Sequence, residues 1–133
     1  MTHLAAILTC LALAGCGTAL SQTQTVDLGA EVTLSPGETT SVNSTEFKVR
    51  FVAVTEDSRC PRDVTCIWAG EVKIQFEIHE SAKSTSPVEI LEGGNSVVGA
   101  YRVTLVRVEP ATRSTARIAP QDYRATIVVE KTA

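Results

Sequence analysis

The sequence predicts an all-β domain of the sandwich type, and three observations lead to this prediction. Apolar residues recur at every second position over several stretches after residue 25, which is the period of a strand with one buried face. Turn-forming residues separate these stretches, and none carries the apolar stripe of an amphipathic helix. The chain has 133 residues, a length typical of one domain.

The predicted strands follow one another along the chain. The first carries its apolar residues at the even positions of residues 26–34. Alternating apolar residues then mark residues 47–53, 72–78 and 123–129, and a shorter run lies at Val88 and Ile90.

Residues 97–108 require a change of face within one strand. The apolar residues are Tyr101, Val103 and Leu105 on one parity, then Val106 and Val108 on the other. We therefore predict a β-bulge near Leu105. Six or seven strands within residues 26–133 match an immunoglobulin-like or related Greek-key sandwich, and a small barrel is the alternative.

Composition excludes several classes of function. The net charge is −3, from 12 basic and 15 acidic residues, so nucleic acid is not an expected partner. Beyond residue 3 the chain holds only His79 and no methionine, which leaves too few ligands for a copper or zinc site. We predict no metal, no cofactor and no catalytic residues, and we expect His79 to be a solvated strand residue.

The first fifteen residues predict a secretory signal peptide. Residues 4–14 are uncharged and almost entirely apolar, which is too short for a membrane span of ~20 residues but fits a signal-peptide core.

The end of this segment, Leu13-Ala14-Gly15-Cys16, resembles the lipobox of bacterial lipoproteins. The resemblance implies cleavage before Cys16 and attachment of diacylglycerol and a further acyl chain such as palmitate, which would anchor the chain to an envelope membrane. The resemblance to diderm lipoproteins also implies the outer membrane, facing the periplasm, because Gly17 and not an aspartate follows Cys16. In an organism without an outer membrane, the outer face of the cell membrane is expected. Residues 16–25 are expected to form the acylated cysteine and a flexible tether.

Two cysteines remain after the predicted cleavage besides Cys16. Cys60 and Cys66 are separated by five residues, with Pro61 between them. In an exported, oxidising environment such a pair is expected to form a disulfide.

The segment around these cysteines resembles one found in small secreted or lipid-anchored bacterial domains, with the pattern D-S-R-C-P-x-x-V-x-C-x-W-x-G. The matching residues are Asp57, Ser58, Arg59, Cys60, Pro61, Val64, Cys66, Trp68 and Gly70. The resemblance covers about 14 residues and implies no activity.

Structural roles are the first expectation for this segment. We expect Trp68 to cap the core and pack on the disulfide, and Gly70 to allow a positive φ or a close approach. Asp57 is expected to bind loop amides, and Arg59 to pair with Asp57 or Asp63.

The alternative is a rigid, exposed loop that a partner recognises. Its candidate binding residues are Arg59, Pro61, Arg62, Asp63 and Trp68. A second candidate surface is residues 110–121, where Arg113 and Arg117 could face anionic lipid heads or a glycan.

The sequence thus predicts a non-enzymatic, lipid-anchored envelope protein with a binding or structural role. Its expected partners are the membrane, through the acyl chains, and an envelope protein or glycan. One alternative is a protease inhibitor that presents the loop from Cys60 to Cys66 with Arg62 as bait. The other is a thiol-disulfide oxidoreductase.

Overall fold

The computed structural model describes residues 22–132, which form nine β-strands and one 3-10 turn at Pro120–Asp122. The strands are β1 (Thr23–Val26), β2 (Glu31–Leu34), β3 (Thr39–Val42), β4 (Lys48–Asp57), β5 (Val72–Ser81), β6 (Ser84–Leu91), β7 (Asn95–Val98), β8 (Tyr101–Glu109) and β9 (Arg124–Lys131). The predicted signal peptide and Cys16 lie outside the described residues. Between residues 22 and 132, no helix is long and apolar enough to cross a membrane.

The strands form two sheets. One sheet has the order β1-β3-β4-β5-β6 and the other β2-β9-β8-β7. Neighbouring strands are antiparallel except for β1, which runs parallel to β3. Strands β3 to β6 are a meander, as are β7 to β9, and β2 joins the second sheet beside β9. The predicted all-β sandwich is confirmed, with two separate sheets rather than a barrel. The described residues form nine strands instead of the expected six or seven, because short edge strands such as β1 and β3 carry little apolar alternation.

Apolar side chains from both sheets form one core between them. Its largest fully buried members are Phe47, Phe51, Phe76, Leu34, Ile74, Ile78, Ile90, Leu105 and Ile127. The rings of Phe51 and Phe76 lie 5.9 Å apart on neighbouring strands, and Phe47 lies 4.5 Å from Tyr101 of the other sheet. Because these positions are the inward-facing ones of alternating strands, apolar burial stabilises the pairing of the two sheets.

The first predicted strand, residues 26–34, is two strands in different sheets. The chain turns between them, where the Ala30 amide donates to the Asp27 carbonyl over 3.2 Å and Gly29 has a φ of 81°. Leu28, expected to face the core, is exposed at this turn. Val26 and Val32 are both buried, from opposite sheets, so alternation alone does not reveal the crossing.

The ordered sheet also begins earlier than the predicted domain boundary at Val26. Thr23, Gln24 and Thr25, expected in the tether, belong to β1 and pair with β3. Backbone hydrogen bonds hold an edge strand whose side chains are mostly exposed, and such a strand needs no apolar alternation.

Register shifts interrupt the strand pairing in both sheets. The predicted bulge near Leu105 is confirmed by a register shift between Leu105 and Arg107. Strand β4 has two further shifts, between Phe51 and Ala53 and between Val54 and Glu56. Ala53 is therefore exposed rather than inward-facing, and Val54 packs against the core instead.

The sandwich has two distinct ends. Asp57 pairs with Val72, and residues 58–71 connect them at what we call the loop end. At the opposite, hairpin end, the β5–β6 turn at residues 82–83 lies beside the β7–β8 turn, since Gly99 approaches Glu80 there.

Candidate functional site

The candidate site is the connection between β4 and β5, residues 58–71, which we call the disulfide loop. Its stem closes like a hairpin: the Ser58 amide donates to the Glu71 carbonyl over 2.8 Å, and the Cys60 amide to the Ala69 carbonyl over 3.0 Å. Cys60 and Cys66 form the predicted disulfide. The loop is therefore held both by the backbone and by a covalent bond.

Gly70 is required by the close approach of the two stem strands. Its φ is 68°, and a Cβ atom there would lie 1.8 Å from the Ser58 carbonyl oxygen. Both parts of the expectation for this glycine are confirmed.

Arg59 fastens the base of the loop to the sandwich. Its Nε and one Nη donate to the two Asp57 carboxylate oxygens, each over 2.8 Å. The guanidinium also donates to the carbonyls of Val108, over 2.9 Å, and Pro110, over 3.1 Å. The Arg59 and Asp57 side chains are only 13% and 11% exposed, so this bidentate pair is largely buried and holds the loop base in place.

Tyr123 completes this group, which we call the Arg59 cluster (Asp57, Arg59 and Tyr123). Its hydroxyl donates to Asp57 over 2.8 Å. Burial raises the pKa of Tyr123, and the bond to the carboxylate raises it further, to about 12. Burial acts to raise the pKa of Asp57 as well, but the hydrogen bonds from Arg59 and Tyr123 and the Arg59 charge outweigh it, so this pKa is lowered.

The β8–β9 connection, residues 110–123, packs along the disulfide loop. The Arg62 amide donates to the Thr112 carbonyl over 2.9 Å, and the Thr112 hydroxyl to the Arg59 carbonyl over 3.3 Å. The two candidate surfaces predicted separately from the sequence are thus one continuous surface at the loop end.

Asp63 makes a second bridge between the two segments. Its carboxylate accepts hydrogen bonds from the hydroxyl and the backbone amide of Ser114. These bonds lower the pKa of Asp63. Of the two expected pairings of Arg59, the one with Asp57 forms, and Asp63 bonds to Ser114 instead.

Trp68 does not cap the core. Its side chain is 81% exposed, and the end of the core beneath the loop is filled by Val72, Val108 and Tyr123. Trp68 therefore lies outside the core, in solvent. The alternative expectation, that Trp68 belongs to an exposed binding surface, agrees with this position.

Two apolar neighbours join Trp68, and sequence reasoning missed both as site residues. Ile67 is 94% exposed and Val64 is also exposed. We call these three residues the apolar tip. The available signal was an apolar pair, Ile67-Trp68, in a segment that otherwise has turn-forming and charged residues.

The other predicted loop residues differ in accessibility. Arg62 and Asp63 are exposed and Pro61 is half-buried. Arg59, expected in an exposed recognition loop, is instead buried in the Arg59 cluster because its hydrogen bonds hold the loop base.

His79 lies on the outer face of β5, partly exposed. Its Nδ1 is 2.8 Å from the Thr85 hydroxyl and its Nε2 3.1 Å from a Glu77 carboxylate oxygen. Within residues 22–132, no three side chains of His, Cys, Asp or Glu are grouped so that they could hold a metal ion.

Comparison of the chain with models of protein families, with curated proteins and with solved structures finds no match.

Proposed function

We propose that this protein is an exported, lipid-anchored, non-enzymatic binding module whose contact surface is the apolar tip. The observation that carries the proposal is the exposure of Ile67 and Trp68 on a loop fixed at its base by a disulfide and a buried ion pair. Large apolar side chains held rigidly in water are unfavourable unless a partner covers them. Rigidity also favours binding, since little conformational entropy is lost on contact.

The Arg59 cluster supports a binding role over catalysis. Arg59 and Tyr123 both hydrogen-bond the Asp57 carboxylate, and these bonds help to shift the pKa values of all three groups. A general acid or base needs a free contact with substrate, whereas these groups fasten two loops together. Their geometry therefore supports a structural role.

Export and lipidation are the second part of the proposal. The lipobox Leu13-Ala14-Gly15-Cys16 supports an anchor at Cys16, and the disulfide between Cys60 and Cys66 supports an oxidising compartment. The site of residence would be the cell envelope, on the outer membrane facing the periplasm in a diderm organism or on the outer face of the cell membrane.

A mass spectrum of the mature protein's N-terminus tests the anchor. We expect a chain that begins at Cys16 and carries acyl chains. A chain that begins elsewhere, or an unmodified Cys16, would contradict the lipoprotein proposal.

Photo-crosslinking in the producing cell tests the contact surface. A photoreactive residue at position 67 is expected to yield adducts of lipid or protein, while the same residue at position 82, in the hairpin-end turn, serves as the matched control. Equal yields at the two positions would show that the apolar tip has no partner.

The protease-inhibitor alternative receives less support from the loop geometry. Substrate-like inhibitor loops present an extended backbone, but the Val64 amide folds back to the Pro61 carbonyl over 3.3 Å, and the Arg62 amide is already bonded to Thr112. Stoichiometric inhibition of a trypsin-like protease, with slow cleavage after Arg62, would favour this alternative.

The oxidoreductase alternative rests on the same disulfide. Alkylation before and after treatment with mild reductant distinguishes the two roles, because a structural bridge stays oxidised at glutathione-like potentials. Ready reduction would favour a redox role for Cys60 and Cys66.

A further inference from the structure

We infer that the apolar tip enters the headgroup region of the bilayer that holds the chain's own acyl chains, so that the domain meets the membrane at two points. This inference rests on the proposed anchor at Cys16 and names the partner of the proposed contact surface. The chemical class of the partner is phospholipid.

The course of β1 supports this partner. Thr23 aligns with Thr39 of β3, and Thr39 pairs with Arg50 of β4. Because β1 is antiparallel to β4, the chain followed from Val26 back to Thr23 runs toward Asp57 and the loop end. At Thr23, the backbone of β1 therefore points toward the loop end.

The length of the intervening segment fits this arrangement. Residues 17–22 separate Cys16 from β1 and reach at most about 20 Å when extended. The start of β1 is in register with Arg50, across Thr39 of β3, and Arg50 lies seven positions before the end of β4 at Asp57, which corresponds to about 20 Å of strand. The reach of this segment therefore allows an anchor at Cys16 to lie at the loop end, and the direction of β1 favours this end.

The chemistry of the tip suits a lipid interface. Tryptophan is the residue most typical of the boundary between headgroups and acyl chains, and Ile67 beside it adds an aliphatic side chain. Three side chains on one narrow loop can enter lipid to a depth of about 5–10 Å, as interfacial segments do. A protein interface of ordinary size needs ~800 Å² from each partner, which is more than three side chains supply.

Exposed cations next to the tip favour phosphate headgroups. Arg62 is exposed on the disulfide loop, and Arg113 is exposed beside Ser114 on the β8–β9 connection. Asp63 stays charged here, because the hydrogen bonds from Ser114 lower its pKa. Residues 60–68 and 110–121 nevertheless carry a net positive charge, since Arg62, Arg113 and Arg117 outnumber this one acid. Anionic headgroups can therefore approach these arginines, in line with the expectation for residues 110–121.

The chain carries its own reporter, because Trp68 is its single tryptophan. The acylated protein, reconstituted in vesicles of phosphatidylethanolamine and phosphatidylglycerol, is compared in lipids with and without bromine on the upper acyl chain. Bromine quenches tryptophan on contact. We expect fluorescence to fall at least about threefold in the brominated vesicles if Trp68 lies at interfacial depth.

A relocated tryptophan supplies the matched control. The double variant Trp68→Phe, Ala82→Trp keeps an aromatic residue at the tip and moves the reporter to the hairpin end. Its fluorescence is expected to be the same in both lipids. Ile67→Ser is expected to reduce the quenching of Trp68, whereas Val97→Ser, which removes an exposed apolar side chain near the hairpin end, is expected to leave it unchanged.

Equal fluorescence of Trp68 in the two lipids would overturn the inference. So would protein adducts, in place of lipid adducts, from the photoreactive residue at position 67. Failure of the anchor is read separately, from the N-terminal mass spectrum. In that case the unacylated chain is added to the same vesicles, and quenching of Trp68 still decides whether the apolar tip enters lipid.

Discussion

The sandwich core and the disulfide loop use apolar residues in opposite ways. In the core, Phe51, Phe76 and Ile74 are fully buried, and their burial holds the two sheets together. In the loop, Ile67 and Trp68 face solvent, while a disulfide, an ion pair and hydrogen bonds to the β8–β9 connection provide the order. Because covalent and polar bonds order the loop, its apolar side chains need not be buried and stay available for a partner.

The largest effect is expected in the core. Phe76→Ala removes a fully buried ring that packs against Phe51 and should destabilise the protein by about 3–5 kcal/mol. Urea unfolding followed by far-UV circular dichroism measures this loss. A loss below about 1 kcal/mol would mean that the core is not the main source of stability.

Removal of the disulfide is expected to have an intermediate effect. The double variant Cys60→Ser, Cys66→Ser frees a short loop, which on the chain-entropy model costs roughly 2 kcal/mol. We also expect faster hydrogen exchange of the Cys60 amide, which bonds to Ala69, with core amides such as that of Ile74 less affected. A loss as large as that of Phe76→Ala would show that the loop and the core fold as one unit.

Asp57→Asn should weaken the Arg59 cluster by about 1–2 kcal/mol at pH 7, because Arg59 keeps its charge without a carboxylate partner. The pKa of Asp57 is lowered in the folded protein. Its ionisation therefore stabilises the fold above the unfolded pKa of about 3.9, and this contribution is lost as the pH falls through the lower folded value. The difference between Asp57→Asn and the wild type should shrink accordingly in urea titrations at decreasing pH.

Two further measurements sharpen this prediction. Glu56→Gln, which changes an exposed neighbouring acid, should shift stability by less than about 0.5 kcal/mol. The pKa of Tyr123, raised to about 12 in the wild type, should fall in Asp57→Asn, as measured by tyrosinate absorbance in a Tyr101→Phe background. An unchanged Tyr123 titration would contradict the role of Asp57 in the cluster.

The smallest effect on stability is expected at the apolar tip. Trp68→Ala should change the free energy of unfolding by no more than about 0.5 kcal/mol, because the side chain is exposed and has no core to support. The same urea titration measures it. A loss of 2 kcal/mol or more would restore the prediction that Trp68 caps the core and would remove the basis for a binding tip.

Several elements were predictable from local patterns. Alternation identified the strands that contain Ile74 and Ile127, the change of parity located the bulge at Leu105, and the cysteine spacing anticipated the disulfide. Other features depend on partners distant in the chain. The bulges of β4, the sheet change between β1 and β2, and the buried state of Arg59 arise from pairing and packing that no local pattern records.

By itself, the sequence determined the fold class, the single core and the disulfide between Cys60 and Cys66. Period-two alternation requires one buried face, and two nearby thiols in one segment restrict their own pairing. Only the tertiary structure decided that the disulfide loop and the β8–β9 connection share one end. Arg59 bonds to Val108 and Asp63 to Ser114, and the partners in each pair lie about fifty positions apart in the chain.

The tertiary structure also decided whether the Trp68 side chain is buried or exposed. Its residue type favours burial, but whether space exists beneath it depends on which side chains of other strands fill that end of the core. At the loop end, Val72, Val108 and Tyr123 are the buried side chains, and Trp68 lies in solvent. Competition for volume between distant parts of the chain is a property of the folded state, and no local stretch of sequence contains it.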